Sequence, residues 1–269
     1  ARLSVSGAVS CNTCHNVMGA GDDGRAFSVG ALGKPTKRSA PTLWNVAYET
    51  VYFWDGRAKS LEEAISEHLF DPTVMALPRK STAVNLLSAI PGYKLEFDDV
   101  FGDGRAVTVR NTARALAAYI RTLTTRDSAF DRYLMGDQNA IPPAAKRGFK
   151  DFGDMGCAAC HFWVNLSGPV PGLAFQMGEG FYEMFPNWLG SNYDEKYHLT
   201  DDLGRYVYDK NPKHKHLFRV PTLRNIAVTA PYFHNGSVKP LEEAVRVMGK
   251  TQFKKDLTPQ QVRDIVAFL

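Results

Sequence analysis

Cys11-Asn12-Thr13-Cys14-His15 and Cys157-Ala158-Ala159-Cys160-His161 together contain every cysteine of this 269-residue chain. Cys-x-x-Cys-His is the spacing at which c-type haem is attached. The two thiols add across the vinyl groups of the porphyrin, and the adjoining histidine ligates the iron from the proximal side. Other chemistries use these residues less well. A zinc site draws four ligands from pairs that lie together, and these pairs stand 146 positions apart. A redox Cys-x-x-Cys needs no histidine next to it, and two structural disulfides would leave both histidines unexplained. Two haem c groups, held by Cys11, Cys14 and His15 and by Cys157, Cys160 and His161, account for all six residues.

The composition agrees with a globular chain long enough for two domains. It is 44% hydrophobic and 22% charged, and no run approaches the 18 or so apolar residues of a membrane span. The net charge of +4 is mild, and four haem propionates would cancel most of it. Nothing in it points to nucleic acid. Haem c is attached outside the bacterial inner membrane, so a periplasmic location is expected. The chain opens at Ala1 without a signal peptide, as a processed or truncated polypeptide would.

A second repeat runs without a gap at an offset of 180 residues. Pro41-Thr42-Leu43-Trp44-Asn45-Val46-Ala47 matches Pro221-Thr222-Leu223-Arg224-Asn225-Ile226-Ala227. Tyr52-Phe53-Trp54-Asp55-Gly56 matches Tyr232-Phe233-His234-Asn235-Gly236, and Lys59-Ser60-Leu61-Glu62-Glu63-Ala64-Ile65 matches Lys239-Pro240-Leu241-Glu242-Glu243-Ala244-Val245. Thirteen of the 25 aligned positions are identical, too many for chance. The chain therefore reads as two copies of one domain, 1–137 and 138–269, divided at the polar Asp137-Gln138-Asn139. The fold class expected is mainly α. Ser60 with Glu63 forms a capping box that opens a helix through Leu69. A helix from Thr108 to Leu123 puts Val109, Leu116, Ile120 and Leu123 on one side. Pro143 opens another, and Thr258-Pro259-Gln260-Gln261 caps the last, through Phe268. No hairpin signal is present.

Ser10–Asn16, Phe53-Trp54-Asp55-Gly56-Arg57-Ala58, the segment from Leu223 to His234, and Val247-Met248-Gly249 resemble the bacterial di-haem cytochrome c peroxidases and their MauG-type relatives. The resemblance covers nearly the whole chain. It implies two cytochrome c-like domains, each with one covalent haem, paired into a homodimer. Arg2-Leu3-Ser4 resembles the middle of a family segment, so a family N-terminal helix would precede it. The C-terminal haem is implied to take electrons from a small donor, a cytochrome c or a cupredoxin, and the N-terminal haem to meet hydrogen peroxide. Met248 matches the sixth ligand of the second haem, where a thioether raises the reduction potential; the bland alternative is core filling. Trp54 matches the tryptophan used for transfer between haems, against the alternative of a buried aromatic. Thr229 and Pro231 match positions whose carbonyls bind calcium, with Ser39 where the family has asparagine.

The reactive centre is where the chain departs from its relatives. Ala31 stands where they hold a loop histidine, Val74 where they hold the catalytic glutamate, and Ala64 where they hold glutamine. Breaking an O–O bond needs a base for one oxygen and an acid for the other, and alanine and valine are neither. At the offset of 180, Met248 pairs with His68, where relatives carry proline. His68 then has two competing roles, sixth iron ligand or distal acid/base. A surface histidine late on a helix is the third reading. Tyr193 to His216, with His198, His214 and His216, reads as a polar surface loop over the second haem, whose Lys210, Lys213 and Lys215 could dock an acidic donor. His234 reads as structural. Three functions stay open: a periplasmic peroxidase-like oxidoreductase, an electron-transfer protein or subunit of a redox complex, and a MauG-type oxidase of a partner protein, ranked last.

Overall fold

Capping residues named from the sequence begin the helices seen in the computed structural model, which describes residues 1–102, 105–168 and 181–269. The chain divides into two compact units, and the second takes in ten residues of the first repeat. Unit one is Ala1–Ala47 with Ala58–Leu123, and unit two is Tyr48–Arg57 with Thr124–Leu269. This division falls before the polar stretch at Asp137. The cause is local: Phe130 packs on Phe149 and Phe268 at 5.1 and 5.0 Å, which ties the segment after Leu123 to the second unit.

In unit one, α1 (Cys11–Cys14) carries the first motif, and α2 (Leu61–Phe70) follows the repeat. Ser60 accepts from the Glu63 N–H, as expected, while the Glu63 carboxylate takes the Lys59 N–H at 2.7 Å. The Ser60 bond satisfies one orphan donor, whereas Glu63 returns to Lys59, one residue before the cap, instead of the Ser60 N–H that the expected capping box calls for. Then come α3 (Lys80–Ser88), α4 (Pro91–Phe101) and α5 (Val109–Arg121), with α5 capped by the Thr108 hydroxyl. The buried face of α5 is Thr112, Ala113, Ala117 and Ile120; of the expected stripe, Ile120 and Leu123 are buried, Val109 packs on the core and Leu116 is half-buried. Small alanines let α2 lie close, and Arg121 reaches across to Glu62 with two bonds of 2.7 and 2.8 Å. Leu69, Leu77 and Ala83 form the core between α2 and α3.

Unit two begins with α6 (Ala129–Leu134) and α7 (Pro143–Asp154), and the second motif follows in a single 3-10 turn, Cys157–Ala159. α8 (Asn192–Lys196) and α9 (Tyr206–Asp209) are short, and α10 (Leu241–Phe253) and α11 (Pro259–Phe268) close the chain. Thr258 and Gln261 make the full capping box expected for α11. α7 crosses α11 at Gly148, where an added Cβ would lie 1.8 Å from the Asp264 carbonyl oxygen, so only glycine fits. Arg147 grips the Asp264 carboxylate beside that crossing, at 2.7 and 2.9 Å. A small two-stranded antiparallel sheet, which the sequence did not signal, joins distant segments. β1 (Tyr182–Met184) pairs with β2 (Leu217–Arg219), Tyr182 opposite Arg219. The stretch between them is not a plain surface loop, because Leu199 is fully buried and Tyr193 and Tyr197 pack on the core. Lys210, Lys213 and Lys215 are exposed.

The duplication is visible in the backbone itself. Asn45 and Asn225, Phe53 and Phe233, and Gly56 and Gly236 all hold positive φ. A phenylalanine in that region is uncommon, so its recurrence at the same offset marks a shared turn geometry.

Candidate haem centres

All four cysteines are unbridged, so each motif keeps its thiols available. In unit one, His15 Nδ1 lies 3.0 Å from the Pro41 carbonyl oxygen. A carbonyl only accepts, so Nδ1 carries the proton and Nε2 carries the lone pair, the arrangement usual in metal-bound histidine. In unit two, His161 Nδ1 makes the same bond to Leu166 O at 3.0 Å. Desolvation pushes both imidazoles down to about 4, with His68 adding to the effect at His15. Both are neutral at physiological pH, the form that ligates iron. These residues fit two covalently held haem groups.

Ala31, Ala64, His68 and Val74, singled out from the sequence, are linked by backbone contacts and by the His15–His68 pair. Gly30 allows the backbone to run against Thr73 and Val74; a Cβ there would fall 2.1 Å from the Thr73 oxygen. Ala31 N–H then donates to Val74 O at 2.7 Å. His68 is the eighth residue of α2, and its Nδ1 donates to the Ala64 carbonyl one turn back, at 2.9 Å. Its ring stands 6.3 Å from that of His15, centroid to centroid, crossed at 65°. The surface reading of His68 is therefore displaced: it is half-buried and faces the proximal histidine. Near the motif, a cleft of about 520 Å³ is lined by Asn12, Asn16, Asp22, Asp23 and Arg25 among others.

In unit two, Cys157 packs against Phe152, Val245, Val262 and Ile265. Met248 is the eighth residue of α10, the same helical position as His68 in α2. Met248 and Trp54 both pack on the buried cluster of Phe185, Leu199, Phe218, Tyr232, Val238, Ala244 and Val247. Trp54 also meets His234 edge-on at 6.4 Å, and His234, 2% exposed, stacks on Phe218 at 4.4 Å. Thr229 follows a 3-10 turn and precedes the cis Ala230–Pro231 bond. Calcium takes six to eight oxygen ligands. Ser39 spends its hydroxyl proton on Arg25 O at 3.3 Å.

Sequence reasoning missed what holds Trp54 in place. Arg219 donates its backbone N–H to Trp54 O at 2.7 Å and its Nε–H to Phe53 O at 3.2 Å, and it pairs with Glu49 at 2.6 Å. Tyr182 Oη donates to Gly56 O at 2.8 Å, and Arg205 donates to Asp55 O at 3.1 Å. Both members of the Glu49–Arg219 pair are under a tenth exposed, and Asn165 adds a bond to Glu49 at 3.0 Å. Burial pushes the Glu49 carboxyl up, with Arg219 and Asn165 pulling the other way. The signal was one carboxylate within Ala47-Tyr48-Glu49-Thr50-Val51-Tyr52-Phe53-Trp54, an otherwise uncharged run that would bury it only with a partner.

Comparison with known proteins agrees with this geometry. A family model described as di-haem cytochrome c peroxidase matches residues 1–139. The chain is 40% identical over 272 residues to the cytochrome c551 peroxidase of Pseudomonas aeruginosa, covering all of this chain and 74% of that protein. It is 33% identical over 280 residues to the methylamine utilization protein MauG of Methylorubrum extorquens, covering all of this chain and 73% of that one. Among solved structures, a MauG-like protein associated with microbial copper homeostasis superposes with a TM-score of 0.80 at 26% identity. The match covers 99% of this chain and 84% of that one.

Proposed function

Because the chain belongs to the di-haem cytochrome c peroxidase family, we propose that it is a periplasmic oxidoreductase that takes electrons at its C-terminal haem and reduces a small oxidant at its N-terminal haem. The oxidant class is hydrogen peroxide or a related small molecule, which with two electrons and two protons gives two waters. The donor is a small redox protein, a cytochrome c or cupredoxin, delivering one electron at a time. A homodimer or a larger redox complex is the assembly proposed. Bound haem supplies reversible one-electron storage and a metal face for the oxidant.

The observation that carries the reading is the intact electron-accepting half: Met248 and Trp54 rest on one buried cluster. Cys157 and Cys160 tether that haem, with His161 and Met248 as its ligands. A thioether ligand favours the reduced iron and suits a haem that receives electrons. Trp54, fixed through its own carbonyl by Arg219, is positioned to pass charge onward. Cys11, Cys14 and His15 hold the first haem. With alanine and valine at 31, 64 and 74, proton handling at that centre falls to His68 whenever its imidazole is not bound to iron. Calcium at the carbonyls of Thr229 and Pro231 belongs to the same proposal, by resemblance alone.

A second reading, an electron-transfer protein that kept the scaffold, is favoured by one observation. Ala31 and Val74 meet backbone to backbone with apolar side chains, leaving two fewer polar groups for the chemistry. Steady-state oxidation of a reduced small cytochrome by peroxide decides between them, on protein whose intact mass includes two haem groups. Turnover after half-reduction supports the enzyme; its absence in doubly loaded protein supports the carrier.

A further inference from the structure

The geometry points to His68 as the second axial ligand of the N-terminal haem iron, opposite His15, so that the resting centre is closed by a residue of α2. This inference rests on the di-haem reading above and assigns the state of that same site.

Three observations converge. The first is spacing. A metal–nitrogen bond of about 2 Å on each side, with the ring radius added twice, separates two imidazole centroids by about 6 Å. The His15 and His68 rings are 6.3 Å apart. That gap suits one metal ion. A histidine serving only as distal acid/base must stand farther off, by the width of a peroxide molecule.

Tautomer is the second. Both rings bond through Nδ1 to a backbone carbonyl, His15 to Pro41 O and His68 to Ala64 O. In its neutral form each then has its lone pair on Nε2, and each is oriented by the outer bond that ligating histidines normally make. The third is register. His68 occupies the same position in α2 that Met248 occupies in α10, and the two helices start from matched repeat sequence. The duplicated sequence gives His68 and Met248 the same position on matching helices.

The mounting also differs from a loop ligand. The His68 imidazole is tied to its own helix through Ala64 O, and α2 packs along α5. Releasing it means rotating the side chain and breaking that bond, not unfolding a loop.

The test is the ferric protein with both haems attached. Near-infrared magnetic circular dichroism and electron paramagnetic resonance are expected to show two low-spin irons, one bis-histidine and one histidine–methionine. His68→Ala converts one haem to a high-spin form that binds cyanide, and the methionine-ligated signal stays unchanged. Met248→Ala gives the mirror result and assigns the haems. A high-spin first haem in the unmodified protein, or two low-spin irons in His68→Ala, overturns the inference. Should His68→Ala fail to mature, the bis-histidine band of the unmodified protein decides alone. Peroxide turnover is read separately. Turnover with His68 off the iron in the resting state sinks the ligation and keeps the function; ligation without turnover after half-reduction does the reverse.

Discussion

Ala31 donates its backbone N–H to the Val74 carbonyl at 2.7 Å, joining the two positions where the family resemblance calls for a histidine and a glutamate. The scaffold that presents those groups is intact; the groups themselves are replaced. Restoring one is therefore a local change. In a His68→Ala background, Val74→Glu is expected to raise peroxide turnover by about 100-fold or more, the usual contribution of a positioned acid/base. Val74 is half-buried, so the carboxylate has room. Equal turnover in His68→Ala with and without Val74→Glu would show that the site is lost for other reasons.

Met248→His should lower the potential of the second haem. Replacing a thioether by an imidazole removes the preference for reduced iron, and axial ligation as a whole spans roughly 0.8 V. A spectroelectrochemical titration reads the drop, together with loss of the methionine–iron band. An unchanged potential would remove Met248 from the coordination sphere.

Arg219→Leu strands the Glu49 carboxylate in a buried setting. Removing one partner of such a pair typically costs about 3–5 kcal/mol. Here it also frees the Phe53 carbonyl, the side-chain tether of the Trp54 segment. The expected result is a lower denaturation midpoint, with partial recovery in Arg219→Leu combined with Glu49→Leu. Tryptophan emission reports whether the segment has moved.

Asp131 accepts from Arg224 at 2.6 and 3.2 Å, and this bond, ahead of smaller contributions from Ser128, holds its carboxyl below the usual range. A carboxyl depressed in the folded state stabilises fully above its unfolded value, near pH 4. That stability is lost as pH falls through the lower folded value. Asp131→Asn should cost about 1.5–3 kcal/mol at neutral pH and flatten the acid limb of the melting-temperature profile. An acid limb identical in both proteins would show that the pair contributes nothing.

Helix starts were legible in the chain because caps are local: Ser60, Thr108 and Thr258 each accept the N–H three residues on. The offset that pairs His68 with Met248 put both at the eighth position of their helices. The stripe expected along α5 was legible at Ile120 and Leu123, whereas Ala113 and Ala117, buried on the same helix, carry too little side chain to announce a core face. The β1–β2 pair escaped because three-residue strands carry almost no period and their partners are far apart in sequence. The Glu49–Arg219 pair was out of reach for the same reason. Only folding brings position 49 to position 219.

Ten residues, Tyr48–Arg57, leave the first repeat to complete the second unit. A gene cut after Leu123 would thus not yield a self-sufficient C-terminal half, which would lack Glu49 and expose Arg219 without its counter-charge. Whatever single-haem ancestor was doubled, this exchange of a strip of chain has made the doubling hard to reverse. The halves now descend together.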